Sequence, residues 1–164
     1  MREISNECVF EQTSFSDSVL AFWNRYRAPL AAHVTSEDTL ARTFDGTCLH
    51  TIRLVKKERR SFPKWLPARL AAVRETWILE RTIVDAQGGL LFSVSRNLTH
   101  RAIADGIEWQ SLACSGSKCV VLCSLCCRTP TDWLLPQYQL DIGFLHRFAN
   151  GGTKRSGTFY SGTN

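Results

Sequence analysis

The residues of this 164-residue chain that most clearly indicate chemistry are positively charged side chains concentrated in one stretch. Positions 53 to 74 hold eight cations and one acid, a net charge of +7, whereas the whole chain carries +5. A basic segment in an otherwise mildly acidic chain indicates a localised anionic partner, which could be a phosphate group, a membrane surface or nucleic acid. A solvated charged loop is the competing interpretation. The cations are Arg53, Lys56, Lys57, Arg59, Arg60, Lys64, Arg69 and Arg74.

Two of these cations lie on one face of a predicted strand. Arg53, Val55 and Lys57 share that face because side chains alternate with a period of two along an extended segment. If the face points inward, two cations flank one apolar side chain in the interior, which would be chemically unusual.

The second part of the basic segment, residues 59–73, mixes cations with large apolar side chains between two prolines. Trp beside Lys and Arg is typical of a segment at a membrane surface, where the ring lies at headgroup depth and the cations meet anionic lipid. A short amphipathic helix packed on its own sheet is the alternative. The apolar members are Phe62, Trp65, Leu66 and Leu70.

A helix is predicted over residues 14–26. Ser14 can cap its first turn, and apolar and aromatic residues recur at helical spacing on one face. Arg25 lies in the last turn, where the helix dipole favours a cation, and a simple C-terminal charge is the alternative explanation for it.

The strand pattern is that of an antiparallel sheet. A hairpin is predicted over residues 37–57 with its turn at Asp45-Gly46, and a second hairpin joins residues 76–84 to 90–98. Residues 107–112 continue the pattern. Together with the helix, this order favours an α+β domain.

Beyond residue 112 neither period is sustained, so no structure is predicted for the tail. Five of the seven cysteines crowd into residues 114–127, and we therefore expect the first part of the chain to stand without disulfides. Cys123 and Cys126 have the spacing of a zinc ligand pair, but the second pair of a finger is missing, and we expect no metal and no cofactor.

Length and composition predict one globular domain. The chain is 44% hydrophobic and 21% charged, which excludes disorder as its overall class. Its longest apolar runs fall far short of the ~20 residues that cross a bilayer. The N-terminal residues have the features of neither a secretory signal peptide nor a transit peptide, so any organelle import is expected to use another route.

Several blocks of the chain resemble the PRELI-like domain family. Residues 21–34, AFWNRYRAPLAAHV, match the family's F-W-x-R-Y-P-N-P-x-x-x-H-V in spacing, with Arg27-Ala28 in place of Pro-Asn. The resemblance covers residues 1–112, and residues 113–164 form a non-matching tail. The later blocks, in the family's order, are RLVKK (53–57), PKW (63–65), ETWILE (75–80), IVD (83–85) and RNLTH (96–100).

The resemblance implies a START-like fold, in which a curved antiparallel sheet and helices enclose a lipid cavity, here with a divergent or truncated C-terminal part. It implies a carrier of phosphatidic acid between mitochondrial membranes that supports cardiolipin synthesis. It places the protein in the mitochondrial intermembrane space, with a small twin Cys-x9-Cys protein as partner.

On this resemblance, Arg25, Arg53 and Lys57 are expected to hold the lipid headgroup, assisted by His33. A phosphate inside an apolar site must be paired, and an arginine offers a planar fork where a lysine offers a point charge. The lid is expected at residues 62–71. Its membrane-contacting side chains are Phe62, Lys64, Trp65, Leu66, Arg69 and Leu70.

Other function classes remain open. The basic segment could bind an anionic polymer or a membrane surface, although no nucleic-acid-binding motif is recognised and nucleic acid is not the expected partner. An enzyme is not expected, because the histidines are scattered and the motifs of hydrolases and phosphate-binding loops are missing. Since residues 113–164 do not match the family's Lys-bearing C-terminal helix, a truncated and non-functional variant is a further possibility.

Overall fold

The computed structural model describes residues 2–27, 31–58, 74–102, 105–128 and 157–161. Among these residues, no helix has the length and apolar character to span a membrane. The elements are β1 (Arg2–Glu11), α1 (Phe15–Asn24), β2 (Val34–Phe44), β3 (Cys48–Glu58), β4 (Glu75–Asp85), β5 (Leu90–Asn97), β6 (Asp105–Ser115), β7 (Lys118–Arg128) and β8 (Gly157–Ser161).

The strands form one curved antiparallel sheet in the order β2-β3-β4-β5-β6-β7-β1-β8. From β2 to β7 each strand pairs with the next one along the chain, and β1 pairs with both β7 and β8. The register of β2 on β3 is irregular at two points, and such bulges bend a strand. In the β2–β3 turn, Gly46 has a φ of +96°, which glycine adopts without a side-chain clash.

The helix α1 begins at a capping residue, as the sequence predicts. The hydroxyl of Ser14 accepts a hydrogen bond from the Asp17 N–H at 3.1 Å and donates to the Asp17 carboxylate at 2.6 Å. Ala21 and Phe22 are buried and belong to the main apolar core, which lies between α1 and one face of the sheet. We call this the inner face.

Three neighbouring rows of side chains cross the inner face, because register partners on adjacent strands point the same way. The row beneath α1 is apolar, the next is polar and the third is charged. The apolar row comprises Leu49, Val84, Leu91, Leu112, Val121 and Cys8. The polar row comprises Thr51, Thr82, Ser93, Gln110, Cys123 and Asn6, and the charged row comprises Arg53, Glu80, Ser95 and Glu108.

The predicted helix and both predicted hairpins are confirmed, and residues 107–112 lie within the longer β6. Beyond residue 112, for which the sequence predicts no structure, residues 113–115 complete β6 and residues 118–128 form β7. The sequence of β7 hides its one-sided burial, because apolar residues such as Val120 and Leu122 alternate with the buried Cys119, Val121 and Cys123. The strand β1 is also not predicted from the sequence, although Ile4, Cys8 and Phe10 lie on one face of it.

The expectation of several helices around the sheet is not met within the described ranges, where α1 is the single helix and most residues lie in strands. The physical reason is that apolar residues in these ranges mostly recur every second position, which favours strands over helices.

A disulfide joins Cys114 of β6 to Cys119 of β7, which are register partners across the hairpin. Cys8 and Cys48 are thiols that take no part in a disulfide.

Candidate functional site

Two arginines share one buried carboxylate on the inner face. Arg53 of β3 and Glu80 of β4 are register partners, and the Arg53 Nε donates to Glu80 Oε1 at 2.9 Å. The Nη2 of Arg53 donates to the same oxygen, while the Nη2 of Arg25 donates to Glu80 Oε2. Arg25, Arg53 and Glu80 are 5%, 1% and 1% exposed, so this ion cluster lies in the interior.

The backbone explains how each of these side chains reaches the cluster. Thr51, Arg53 and Val55 are all buried, because alternate residues of β3 face inward. Glu80 occupies the equivalent position on β4. Arg25 forms the C-cap of α1, and its Nη1 donates to the carbonyl of Phe22 at 2.8 Å, which satisfies one of the helix's terminal acceptors.

Aromatic rings of α1 and its C-terminal turn cover the guanidinium groups. The Arg25 Cζ lies 3.8 Å from the Phe22 ring centroid and 4.3 Å from that of Tyr26. The Arg53 Cζ lies 4.5 Å from the ring centroid of Trp23. These distances are those of cation–π contacts, which stabilise a cation more strongly where water is excluded.

The protonation states follow from burial and these contacts. Burial alone would raise the pKa of Glu80, but the charges of Arg25 and Arg53 outweigh it and hold the pKa below its usual value. Burial would lower the pKa of Arg25, and the Glu80 charge outweighs that effect and raises it. Burial raises the pKa of Tyr26, whose hydroxyl accepts from Arg25 at 3.0 Å and donates to Glu80 at 3.2 Å. Near neutral pH the cluster therefore holds two guanidinium cations, one carboxylate and a neutral phenol.

The cluster keeps hydrogen-bond donors that none of its described contacts uses. Within the described part of the chain, the hydrogen bonds of each guanidinium use three of its five N–H donors. The second carboxylate on Arg53 is that of Glu37 on β2, whose side chain is 21% exposed. Lys57 lies on the same side, with its Nζ 5.7 Å from the Tyr26 ring centroid. The three cations Arg25, Arg53 and Lys57 exceed the paired carboxylates Glu80 and Glu37 by one charge.

The structure brings together three of the four residues expected to bind a headgroup. Arg25 and Arg53 meet at Glu80, and Lys57 joins them through Tyr26. His33 lies just before β2, is half-buried, and accepts a hydrogen bond at its carbonyl from the N–H of Glu58 at 2.6 Å. The expected lid at residues 62–71, with Phe62, Lys64, Trp65, Leu66, Arg69 and Leu70, lies outside the described residues.

Sequence reasoning missed the acidic members of the site, above all Glu80. The sequence offers one clue, since Glu80, Thr82 and Val84 have the spacing of one strand face. The structure shows that all three are buried. The opposite face of β4 also carries apolar residues, including Trp77 and Ile83, and the sequence therefore does not show which face points inward.

Comparison of the fold gives a likeness to a solved structure, the protein TTHA0849 from Thermus thermophilus. The TM-score is 0.55 at 12% sequence identity, over 90% of this chain and 93% of that one. At this identity the likeness concerns the fold alone.

Sequence relatives are more informative. The protein UPS1, mitochondrial, of Saccharomyces cerevisiae is 38% identical over 92 residues, which is 56% of this chain and 52% of that protein. The ups1 homolog of Schizosaccharomyces pombe is 36% identical over 100 residues, 60% of this chain and 57% of that protein. The human PRELI domain-containing protein 1, mitochondrial, is 33% identical over 95 residues, 54% of this chain and 42% of that protein. The chain thus spans about half the length of the curated relatives that it matches.

The model of the PRELI-like family matches residues 16–109, which is more than half of the chain. The matched region includes nearly all of α1, all of β2 to β5 and therefore Arg25, Arg53 and Glu80. The resemblance drawn from the sequence blocks is confirmed, and this chain belongs to the PRELI-like family.

Proposed function

We propose that this protein is a non-enzymatic phospholipid carrier that moves phosphatidic acid between mitochondrial membranes in the intermembrane space and so supports cardiolipin synthesis. The observation that carries the proposal is the buried pair of Arg25 and Arg53, held on one carboxylate beside Lys57. We further propose that a small twin Cys-x9-Cys protein is its partner.

The cationic cluster suits a lipid phosphate for electrostatic reasons. A phosphate leaves water only where charged donors replace its hydration, because an unpaired buried charge is very costly. Glu80 fixes both guanidinium groups before the lipid arrives, and in this proposal the phosphate oxygens accept from the donors that the described contacts leave over. Lys57 adds a point charge on the same strand face as Arg53. A monoester phosphate carries more charge than a diester and makes the best use of three cations.

The remaining parts of the proposal have separate support. Acyl chains that leave water for an apolar protein interior gain about 0.8 kcal/mol per buried CH₂, which favours their transfer into a carrier. The composition of residues 59–73 suits contact with an anionic bilayer. The yeast UPS1 protein and the human relative carry the word mitochondrial in their names, which supports that location for this chain.

The test is transfer of fluorescent phosphatidic acid between liposomes by the full chain co-expressed with a twin Cys-x9-Cys protein, with fluorescent phosphatidylcholine as the comparison lipid. We expect transfer of phosphatidic acid and little transfer of phosphatidylcholine. Equal rates for the two lipids, or no transfer by a protein that unfolds cooperatively, would overturn the proposal.

Two neighbouring lysines provide a matched pair of variants. Lys57→Met removes a cation beside Tyr26, and we expect the rate for phosphatidic acid to fall about tenfold to a hundredfold, the loss of one charge-assisted contact. Lys56→Met serves as the control, because the Nζ of Lys56 pairs with Glu58 at 3.2 Å and Glu75 at 3.0 Å. Equal effects of the two substitutions would remove Lys57 from the site.

A further inference from the structure

Arg53 contacts a second carboxylate, that of Glu37, at the donors which a phosphate would need. A guanidinium presents two pairs of parallel N–H donors, Nε with Nη2 and Nη1 with Nη2. Glu80 accepts from Nε and Nη2 of Arg53 and so occupies the first pair. Glu37 accepts from Nη1, which belongs to the second pair. A phosphate that binds Arg53 through two parallel hydrogen bonds therefore meets Glu37 at one of its two donors.

The two carboxylates differ in their access to water. Glu80 lies on β4 inside the sheet, where two arginines and the hydroxyl of Tyr26 hold its almost fully buried side chain. The side chain of Glu37 is partly exposed and belongs to β2, at the edge of the sheet. A carboxylate that leaves its cation must regain hydration, because an unpaired buried charge is very costly. Glu37 can regain it and Glu80 cannot.

The backbone around Glu37 is irregular. The register of β2 on β3 shifts twice, once on each side of residues 36–39. Bulges of this kind interrupt the ladder of hydrogen bonds between two strands. In the described sheet, β2 also has a neighbouring strand on one side only. Glu37 can therefore move away from Arg53 without breaking the regular pairing of the inner strands.

The charges of the cluster show why a carboxylate is needed here when no lipid is bound. Glu80 neutralises one of the two buried arginines, which leaves one positive charge. Glu37 compensates that charge at Arg53. A buried cation without a counter-ion strongly destabilises a fold. A carrier alternates between empty and loaded states, and in the empty state Glu37 supplies the negative charge that a phosphate supplies in the loaded one.

We propose that Glu37 is the counter-ion of the empty carrier, which the lipid phosphate displaces from Arg53 on loading and which returns to Arg53 as the lipid leaves. The inference rests on the proposed function, because it requires a lipid phosphate at Arg53. Glu37 competes with every phosphate for the same donors, and it therefore lowers the affinity for all phospholipids by one common factor. Since such differences in affinity arise mainly in dissociation, Glu37 shortens the lifetime of the loaded state.

The test compares the wild-type protein with Glu37→Gln and Asp38→Asn, each as the full chain co-expressed with a twin Cys-x9-Cys protein. Both substitutions remove one negative charge from β2 with almost no change of shape. Asp38→Asn is the matched control, because Asp38 is exposed, accepts from the Ser36 hydroxyl at 2.9 Å and contacts no arginine among the described ion pairs.

Two quantities are measured. Calorimetry gives the affinity for soluble dihexanoyl phosphatidic acid, a phosphate monoester, and for dihexanoyl phosphatidylglycerol, a diester. Release of fluorescent phosphatidic acid from loaded protein to acceptor liposomes gives the rate of unloading. Urea unfolding of each variant shows whether its fold is intact.

We expect Glu37→Gln to bind phosphatidic acid about tenfold more tightly than the wild-type protein and to release it about tenfold more slowly. This is the lower end of the range for a hydrogen bond between charged groups, because Glu37 is partly exposed. The affinity for phosphatidylglycerol should rise by the same factor, so that the ratio of the two affinities stays unchanged. Asp38→Asn should change affinity and release by less than about twofold, because salt screens exposed charges.

A gain of affinity in Glu37→Gln no larger than that in Asp38→Asn would overturn the inference and leave the proposed function standing. A much larger gain for the monoester than for the diester would also overturn it, because Glu37 would then stay beside the bound phosphate and repel the more highly charged one. Loss of cooperative unfolding in Glu37→Gln would show that Glu37 belongs to the fold and is not displaced. Failure of the wild-type protein to bind either lipid would overturn the proposed function as well.

Discussion

The shared carboxylate of Glu80 should dominate the stability of this protein, and Glu80→Gln tests it with almost no change of shape. A glutamine keeps one oxygen that can accept from one arginine, but its amide group then faces the other guanidinium. Two cations that are 5% and 1% exposed lose their common counter-ion. Breaking a buried ion pair by neutralising one partner costs about 3–5 kcal/mol.

The assay is equilibrium unfolding in urea, followed by tryptophan fluorescence, with the free energy of unfolding taken by linear extrapolation. For a domain of this size, a loss of about 4 kcal/mol corresponds to a melting temperature lowered by roughly 10 °C. Glu37→Gln is the control, because Glu37 contacts Arg53 alone among the described ion pairs and its side chain is 21% exposed. We expect that substitution to cost less than Glu80→Gln, because Arg53 keeps Glu80 as its counter-ion.

The effect of phosphatidic acid on unfolding is a second measurement on the same variant. In Glu80→Gln the two guanidinium groups lack their shared carboxylate, and phosphatidic acid should therefore raise the urea midpoint of the variant more than that of the wild-type protein. A loss of stability in Glu80→Gln no larger than that in Glu37→Gln would refute the reasoning, since it would mean that the arginines do not depend on Glu80.

The described contacts support three further predictions. Stability should fall in acid as Glu80 protonates: its folded pKa lies below the ordinary value of 4.5, so its contribution is complete above that pH and is lost as the pH falls through the folded pKa. Unfolding curves measured from neutral pH downward should show this loss in the wild-type protein and a smaller one in Glu80→Gln. Reduction with dithiothreitol should lower the free energy of unfolding by about 2 kcal/mol, because the Cys114–Cys119 bond closes a loop of sequence separation 5. The double variant with serine at both positions should not respond to the reductant, and an equal response would point to another thiol. Ser14→Ala should cost about 1 kcal/mol in urea unfolding through loss of the cap on the Asp17 N–H, and no change would show that α1 does not need it.

Local patterns predict those elements whose burial is one-sided. The cap and the apolar stripe predict the helix α1, and turns with alternation predict the β2–β3 and β4–β5 hairpins. They do not predict β7, because apolar residues occupy its exposed face as well as its buried one, as Leu122 shows beside Val121 and Cys123. For β1, the alternation of Ile4, Cys8 and Phe10 with polar residues is present, and a strand over residues 2–11 could have been predicted from it.

The residues of the candidate site also fall into those that the sequence indicates and those that only the structure reveals. The family resemblance marks Arg25, Arg53 and Lys57, and the period of a strand places the last two on one face. Glu80 is not predicted as a site residue, because a carboxylate within a strand has no special meaning in the sequence. Its role depends on the register, which places it beside Arg53, and on the end of α1, which places Arg25 on its other oxygen.

The sequence by itself determined the family, the main period-two and helical segments, and the positive charge that calls for an anionic partner. These properties depend on neighbouring residues, whose spacing is written in the chain. Only the tertiary structure decided that two arginines far apart in the chain share one carboxylate, and that Asn6, Thr51 and Gln110 fall into one row. Strand order and register set those contacts, and they join residues that no local pattern relates.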